Sequence, residues 1–245
     1  MASYAISDIH GCLNTFKALL EKIDFKKTDT LYLLGDLIDR GPNSKGVMDL
    51  VMEMQADGFD IKVIMGNHEW MFLETLNETI PYCWDWRRYQ LWIKNGGITV
   101  MMNFGYKRID DLKGIDKKYD AFVRNLVTHI ELDNYILVHA GINFKDEDIY
   151  KDKMSLHSIR NWYDNIDKNK IGDKIIIHGH SPRRYDTLED EIKEMKYQAI
   201  NIDCGCVYDL HTKIGRLCAL NLDTLKPIFQ ENIDKVPVPE NNPVA

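Results

Sequence analysis

Three clusters of metal-ligating and proton-transferring residues each follow an apolar run. Asp8-Ile9-His10-Gly11 follows Tyr4 to Ser7, Gly35-Asp36-Leu37-Ile38-Asp39-Arg40-Gly41 follows Leu31 to Leu34, and Gly66-Asn67-His68-Glu69 follows Ile61 to Met65. Asp, His and Asn make a mixed oxygen–nitrogen ligand set, which suits manganese, iron or zinc rather than calcium with its all-oxygen cages. Asp8 and His10 lie two residues apart, so one strand end or turn can aim both at one ion. Asp36 has two carboxylate oxygens and can bridge two ions, while Asn67 offers a neutral carbonyl oxygen to the second. His139 and His180 can complete that second ion from the other half of the chain. In an extended backbone only one of His178 and His180 faces the site, although Gly179 between them can break the alternation. Two such ions, about 3.5–4 Å apart, can share a hydroxide and clamp a phosphoryl group for in-line displacement. His68 can protonate a leaving oxygen, with Asp39 orienting it or raising its pKa. Arg40 can grip two phosphate oxygens, and Arg160 in Ser158-Ile159-Arg160-Asn161-Trp162 is a second candidate clamp.

Each of these residues alone has a bland account as a surface carboxylate or a satisfied core histidine. The coincidence of three strand-end clusters argues against it. His129, His157 and His211 have no motif around them and read as ordinary histidines. Cys204-Gly205-Cys206 is not a zinc spacing and reads as small packed thiols.

The elements that must position the clusters follow from periodicity. Tyr4 to Ser7, Leu31 to Leu34 and Ile61 to Met65 read as strands. Leu13, Phe16, Leu19, Leu20 and Ile23 recur at helical spacing between the first two, and Val47, Leu50, Val51 and Met54 between the second and third, with Gly58 as a stop. This strand–helix–strand–helix–strand order predicts parallel pairing with right-handed crossovers, and ligands then bind beyond the carboxyl ends of the strands, where all three clusters sit. A helix is expected from Glu69, with Trp70, Met71, Leu73 and Leu76. Residues 81–106 are aromatic-rich, with Tyr82, Trp84, Trp86, Tyr89, Trp92, Phe104 and Tyr106, and read as a helical insertion whose rings pack on each other; a substrate-facing role for some is the alternative. Ile115 to Ile130 reads as helical. Tyr135 to Val138 and Lys174 to Ile177 read as strands delivering His139 and His178-Gly179-His180, and Gln198 to Cys204 and Arg216 to Leu222 as two more. No internal repeat or linker divides the chain, so one domain is expected over residues 1–235, with an extended tail over 236–245.

With 245 residues, 44% hydrophobic and 28% charged, the chain can bury a substantial core. The net charge of −7 argues against broad nucleic-acid binding, so no nucleic-acid partner is expected. No stretch has the apolar length of a membrane span, and no signal peptide is evident at the start, so no membrane partner is expected. Five scattered cysteines suggest reduced thiols, and a cytoplasmic location follows by elimination.

Asp-Ile-His-Gly, Gly-Asp-Leu-Ile-Asp-Arg-Gly and Gly-Asn-His-Glu, in this order and at this spread, resemble the metal-dependent phosphoprotein phosphatases of the calcineurin-like metallophosphoesterases, in their compact bacterial and phage form. The likeness extends to Trp92-Ile93-Lys94-Asn95-Gly96-Gly97, His139-Ala140-Gly141, Gly179-His180-Ser181-Pro182 and Asn201 to Gly205, and so covers nearly everything except the tail. It implies an α/β four-layer αββα sandwich, with two mixed sheets packed between helical layers. It also implies Asp8, His10 and Asp36 on one metal and Asp36, Asn67, His139 and His180 on the other. His180 is chosen over His178 because the family places the ligand before Ser or Thr and then Pro. His68 is implied as proton donor paired with Asp39, and Arg40 and Arg160 as phosphate clamps. The implied cofactor is a pair of divalent ions, manganese first, with iron or zinc as alternatives. A sister branch cleaves symmetric dinucleoside tetraphosphates; its second motif typically has Ala where this chain has Asp39, and its third ends in Asp where this chain has Glu69. Both positions favour a serine/threonine protein phosphatase acting on phosphoproteins or small phosphoesters. Symmetric bis(5'-nucleosyl)-tetraphosphate hydrolysis is the alternative, and a non-catalytic metal-binding scaffold the third reading.

Overall fold

The three N-terminal apolar runs form short parallel strands: β1 (Ser3–Ile6), β2 (Thr30–Leu33) and β3 (Asp60–Val63), with Leu31 paired to Tyr4 on one side and to Ile61 on the other. Helices α1 (Leu13–Lys22) and α2 (Ser44–Ala56) cross between them. Asn43 caps α2 by accepting from the Gly46 N–H, and Gly58, at φ +88°, closes its other end. The structure is a computed structural model and describes residues 1–78, 86–208 and 213–234. Tyr82, Trp84, His211 and the tail from Val236 lie outside the described residues.

Helices α3 (Asn67–Glu78), α4 (Trp86–Trp92), α5 (Ile98–Asn103) and α6 (Lys117–Arg124) follow. The expected helix over 115–130 holds only for α6. Val127 bridges to Ile64, and β4 (His129–Glu131) turns back antiparallel onto β5 (Tyr135–Val138). The second half then runs α7 (Lys153–Ser158), α8 (Lys168–Ile171), β6 (Ile175–His178), α9 (Leu188–Glu194), β7 (Ala199–Asn201), β8 (Arg216–Asn221) and β9 (Lys226–Glu231). One sheet has the order β3-β2-β1-β8-β9 and the other β4-β5-β6-β7. Both are mixed, because β8 joins β1 antiparallel and β4 joins β5 antiparallel.

Alternation along the strands builds the layers. Tyr4, Ile6, Leu31, Leu33, Leu217 and Ala219 face one cluster shared with α1 and α2. Their neighbours Ala5, Tyr32, Cys218 and Leu220 face the opposite way and meet Leu137, Ile177 and Ile200 of the second sheet. Ile136, Val138 and Ile176 turn outward again, onto Leu156 and Ile171. The result is helix, sheet, sheet, helix. Each fully buried aliphatic side chain in these layers contributes about 1.5–3 kcal/mol by leaving water. The C-terminal ends of β1, β2, β5 and β6 thereby open on one common edge of the sandwich.

Candidate metal centre

The turns after β1 and β2 are laced together by backbone bonds: Asp8 N–H to Gly35 O at 3.1 Å, His10 N–H to Asp36 O at 2.8 Å, and Gly11 N–H to Leu37 O at 2.8 Å. Such tight lacing forces unusual backbone. Asp8, His10, Asp36, Asp39, Arg40 and His180 all have positive φ, a region that non-glycine residues adopt at a cost and that concentrates where function dictates geometry. Gly66 is required by close approach, since a Cβ there would lie 2.2 Å from Asp36 Oδ1.

Glu69, on the first turn of α3, anchors this arrangement. Its carboxylate accepts from the backbone N–H groups of Gly66 (2.9 Å), Asp36 (2.8 Å), Leu37 (2.7 Å) and Ile38 (3.2 Å). Burial and the nearby Asp36 charge push its carboxyl up to about 7, while the N–H bonds pull the other way. From sequence, Glu69 closes the third cluster, opens a helix and separates branches, with no role of its own; the structure makes it the brace of the Asp36 turn.

Asp36 lies at the centre. Its Oδ2 is 3.6 Å from His10 Nε2, 3.8 Å from His68 Nε2 and 3.4 Å from His139 Nε2. The far nitrogens of two of these rings fix their orientation: His10 Nδ1 is 2.9 Å from Ile38 O and His139 Nδ1 is 2.8 Å from Leu34 O, so each donates there and turns Nε2 inward. Asn67 Oδ1 is 3.1 Å from His139 Nε2 and 2.9 Å from His180 Nδ1. Asp8 reaches the same centre, with Oδ1 4.0 Å from His10 Nε2, and its Oδ2 accepts from the His180 N–H and from Ser7 Oγ.

Two groups of ligand atoms each lie within 4.8 Å of one another: His10, Asp36 and His68, and Asp36, His139 and His180. Asp36 belongs to both. Among the described residues, His68 Nε2 and His180 Nε2 are buried without a hydrogen-bond partner. Burial opposes charge on His139, yet the carboxylates of Asp36 and Asp8 outweigh it and push that ring up to about 10. Carboxylates this deeply buried call for positive charge, and the donor set fits divalent cations of the manganese, iron and zinc kind. Asp8, His10, Asp36, Asn67, His139 and His180 are the residues that could hold them. His178 is directed elsewhere: its Nδ1 donates to Gly179 O at 3.0 Å, its Nε2 accepts from Tyr163 Oη at 2.6 Å, and burial pushes its pKa down to about 3.

His68 is fully buried, and its Nδ1 lies 2.7 Å from Asp39 Oδ2. Burial opposes its charge, but Asp36 and Asp39 outweigh burial and raise its pKa. Arg40 Nη1 lies 2.7 Å from His10 Nε2, and its guanidinium sits over the Tyr208 ring at 6.0 Å. Arg160 is exposed at the rim, donating to Ser181 Oγ at 2.6 Å beside His180. It borders a cleft of about 450 Å³ lined by Ala140, Trp162, Tyr163 and Asn201. The aromatic insertion does more than pack on itself: Trp92 is tilted against Phe72, but its indole N–H reaches both Asp39 oxygens at 3.0 Å. The Asn95-Gly96-Gly97 signal was the available clue, because paired glycines permit close backbone approach.

A family profile described as calcineurin-like phosphoesterase matches residues 1–206. A protein of Neisseria gonorrhoeae named bis(5'-nucleosyl)-tetraphosphatase, symmetrical, is 27% identical, with 91% of this chain and 93% of that protein covered. Proteins of the same name from Aggregatibacter actinomycetemcomitans and Nitrosospira multiformis are 30% and 29% identical over 66% and 58% of this chain. There the match spans about half the relative's length, 51% and 44% respectively. A solved structure named only provisionally as a diadenosine tetraphosphatase superposes with TM-score 0.63 at 20% identity, covering 93% of this chain and 91% of that one. A serine/threonine phosphatase of Saccharomyces cerevisiae superposes with TM-score 0.56 at 14% identity, covering 98% and 82%. Likeness at such identities establishes the fold.

Proposed function

The chain belongs to the calcineurin-like phosphoesterases, and from that premise we propose that it is a two-metal hydrolase of small phosphoesters whose substrates are symmetric dinucleoside tetraphosphates. The observation that carries the substrate class is the Neisseria relative, which matches along nearly the full length of both chains. Asp8, His10 and Asp36 would hold one divalent ion, and Asp36, Asn67, His139 and His180 the other. Such ions, when bound, lend positive charge to phosphoryl oxygens and acidify water. Arg40 and Arg160 hold the remaining phosphate oxygens, Arg40 from within the site and Arg160 from its rim. His68 gives its proton from Nε2 to the departing oxygen, and Asp39 on Nδ1 keeps the ring oriented and stabilises its charged form.

A second reading, hydrolysis of phosphomonoesters including phosphoserine and phosphothreonine, is favoured by the buried Asp39–His68 pair at 2.7 Å. An alkoxide leaving from serine is far more basic than a departing nucleoside diphosphate and depends more on a proton donor. The test is kcat/KM on diadenosine tetraphosphate against a phosphoserine peptide, with each divalent metal in turn. The dinucleotide is expected to be the better substrate and to yield only nucleoside diphosphate. A clear preference for the peptide overturns the first reading in favour of the second.

A further inference from the structure

The Asp39 carboxylate is fully buried and has more than one partner. His68 Nδ1 takes Oδ2 at 2.7 Å, and Trp92 Nε1 lies 3.0 Å from each oxygen. An indole N–H only donates, so its place against the carboxylate is independent of protonation. Trp92 is also immobile. It is fully buried, its ring packs 5.3 Å from that of Phe72, and a Cβ on Gly97 would lie within 2.4–2.6 Å of the indole. Between Trp92 and α5 the chain kinks at Gly96, which takes φ +111° and whose carbonyl accepts from the Arg40 N–H at 3.3 Å. A Cβ on Gly96 would lie 2.8 Å from Arg40 N and Cγ. One inserted segment therefore contacts two adjacent residues, the partner of the proton donor and a phosphate clamp.

We propose that Trp92 is a positioning residue for proton donation: its N–H locks the Asp39 carboxylate in one orientation, which in turn aims His68 Nε2 at the departing oxygen. His68 Nε2 is buried, 3.8 Å from Asp36 Oδ2, and has no hydrogen-bond partner among the described residues, which leaves it open to a substrate atom. The proposal rests on the reading of His68 as the proton donor. It also makes a residue from outside the three ligand motifs decide which leaving groups the site can expel. With the indole N–H in place, basic leaving groups such as alkoxides depart with full help from His68; without it, they are slowed more than leaving groups that depart unaided.

The experiment compares leaving groups across variants. Trp92→Phe removes the N–H and keeps an aromatic ring, and Trp92→His restores a ring donor. Each is assayed on p-nitrophenyl phosphate, whose leaving group is weakly basic, and on a simple alkyl phosphate, alongside Asp39→Asn and His68→Asn. In Trp92→Phe, kcat is expected to fall about thirtyfold on the alkyl ester and about threefold on the nitrophenyl ester, a share of the 10²–10⁴ that general acids contribute, with KM little changed. Trp92→His is expected to recover part of the difference, and Trp92→Phe to add little to Asp39→Asn, because both act through one carboxylate. Should Trp92→Phe fail to fold, 3-benzothienylalanine at position 92 keeps the indole's shape with sulfur in place of N–H and takes its place. If His68→Asn itself slows both esters equally, the reading of His68 fails. If His68→Asn discriminates between esters while loss of the Trp92 N–H slows them equally, Trp92 is merely structural and the inference is overturned alone.

Discussion

Within the site, the residues divide by what their free atoms can do. Asp36 is irreplaceable by charge and by reach, since its Oδ2 lies within 3.8 Å of three imidazoles and the residue belongs to both candidate ligand groups. Asp36→Asn leaves the volume unchanged and removes the charge that the two proposed ions would share. The expected outcome is loss of tight metal binding in a calorimetric titration and a fall in kcat of roughly 10²–10³-fold, comparable to removing a stabilising group from a transition state. Retention of two ions per chain in that variant would refute a bridging role. Most of these residues were legible as residue types: carboxylate, imidazole and amide at strand ends imply metal, and an imidazole beside a carboxylate implies proton transfer. Less legible were the roles set by the partner rather than by the residue. Glu69 resembles another acid of the site, yet all its capacity is taken by four backbone N–H groups. Trp92 resembles a core aromatic, and only its contact with Asp39 distinguishes it.

At the level of elements, the first half was readable because each strand, helix and turn follows the next in sequence and pairs locally. The second half departs from its reading at β4 and at β9, a strand over Lys226–Glu231 that the reading leaves out. β4 has three residues, too few to show a period of two, and Asp133-Asn134 before Tyr135 was the one turn signal that could have placed it against β5. The braces between elements are the places where stability and site geometry meet. Glu69→Gln replaces one acceptor oxygen with a donor that faces backbone N–H groups. It is expected to lower unfolding free energy by about 2–4 kcal/mol, the scale of losing charge-assisted bonds to buried partners, and to weaken metal binding as the Asp36 turn loosens. Chemical denaturation with and without metal measures both, and an unchanged midpoint would show that the brace is dispensable. His157, on α7, makes a comparable link: buried, with Nδ1 3.0 Å from Met65 O just beyond β3. Burial pushes its pKa down to about 4 from the ordinary 6.5. Between those two values the unfolded chain binds the proton that the folded one refuses, so stability is full above pH 6.5 and drains as pH falls toward 4. The loss from this residue is up to about 3 kcal/mol over that window, at about 1.4 kcal/mol per pH unit. Denaturation midpoints at pH 7 and pH 4.5 are expected to converge more closely in His157→Gln than in the unaltered chain; equal losses in both would assign the acid sensitivity to other groups.

Across the whole molecule, the candidate ligands come from both sheets. Asp8, His10, Asp36 and Asn67 follow β1, β2 and β3, and His139 and His180 follow β5 and β6. The sheets share an apolar interface through Ala5, Leu137, Ile177 and Leu220, and at their common edge the buried Asp36 carboxylate of one half faces the His139 imidazole of the other at 3.4 Å. Any cation held there ties the first half of the chain to the second. Its binding free energy is then folding free energy, because the unfolded chain does not bring Asp36 and His139 together. A site at 100 times its dissociation constant stabilises by about 2.7 kcal/mol. In a domain of this size each kcal/mol moves Tm by about 2–4 °C, so a chelator is expected to lower Tm by roughly 5–10 °C and added manganese to restore it. Asp36→Asn provides the internal comparison. Burial opposes the charge on Asp36, but His139, His68 and His10 outweigh burial and hold its carboxyl well below the ordinary range, so the substitution is expected to lower the metal-free Tm and to leave it nearly unresponsive to metal. A chelator-insensitive Tm in the unaltered chain would mean that the two sheets are held together by their apolar faces alone, and that any ion at the edge is bound too weakly to act as the proposed bridge between them.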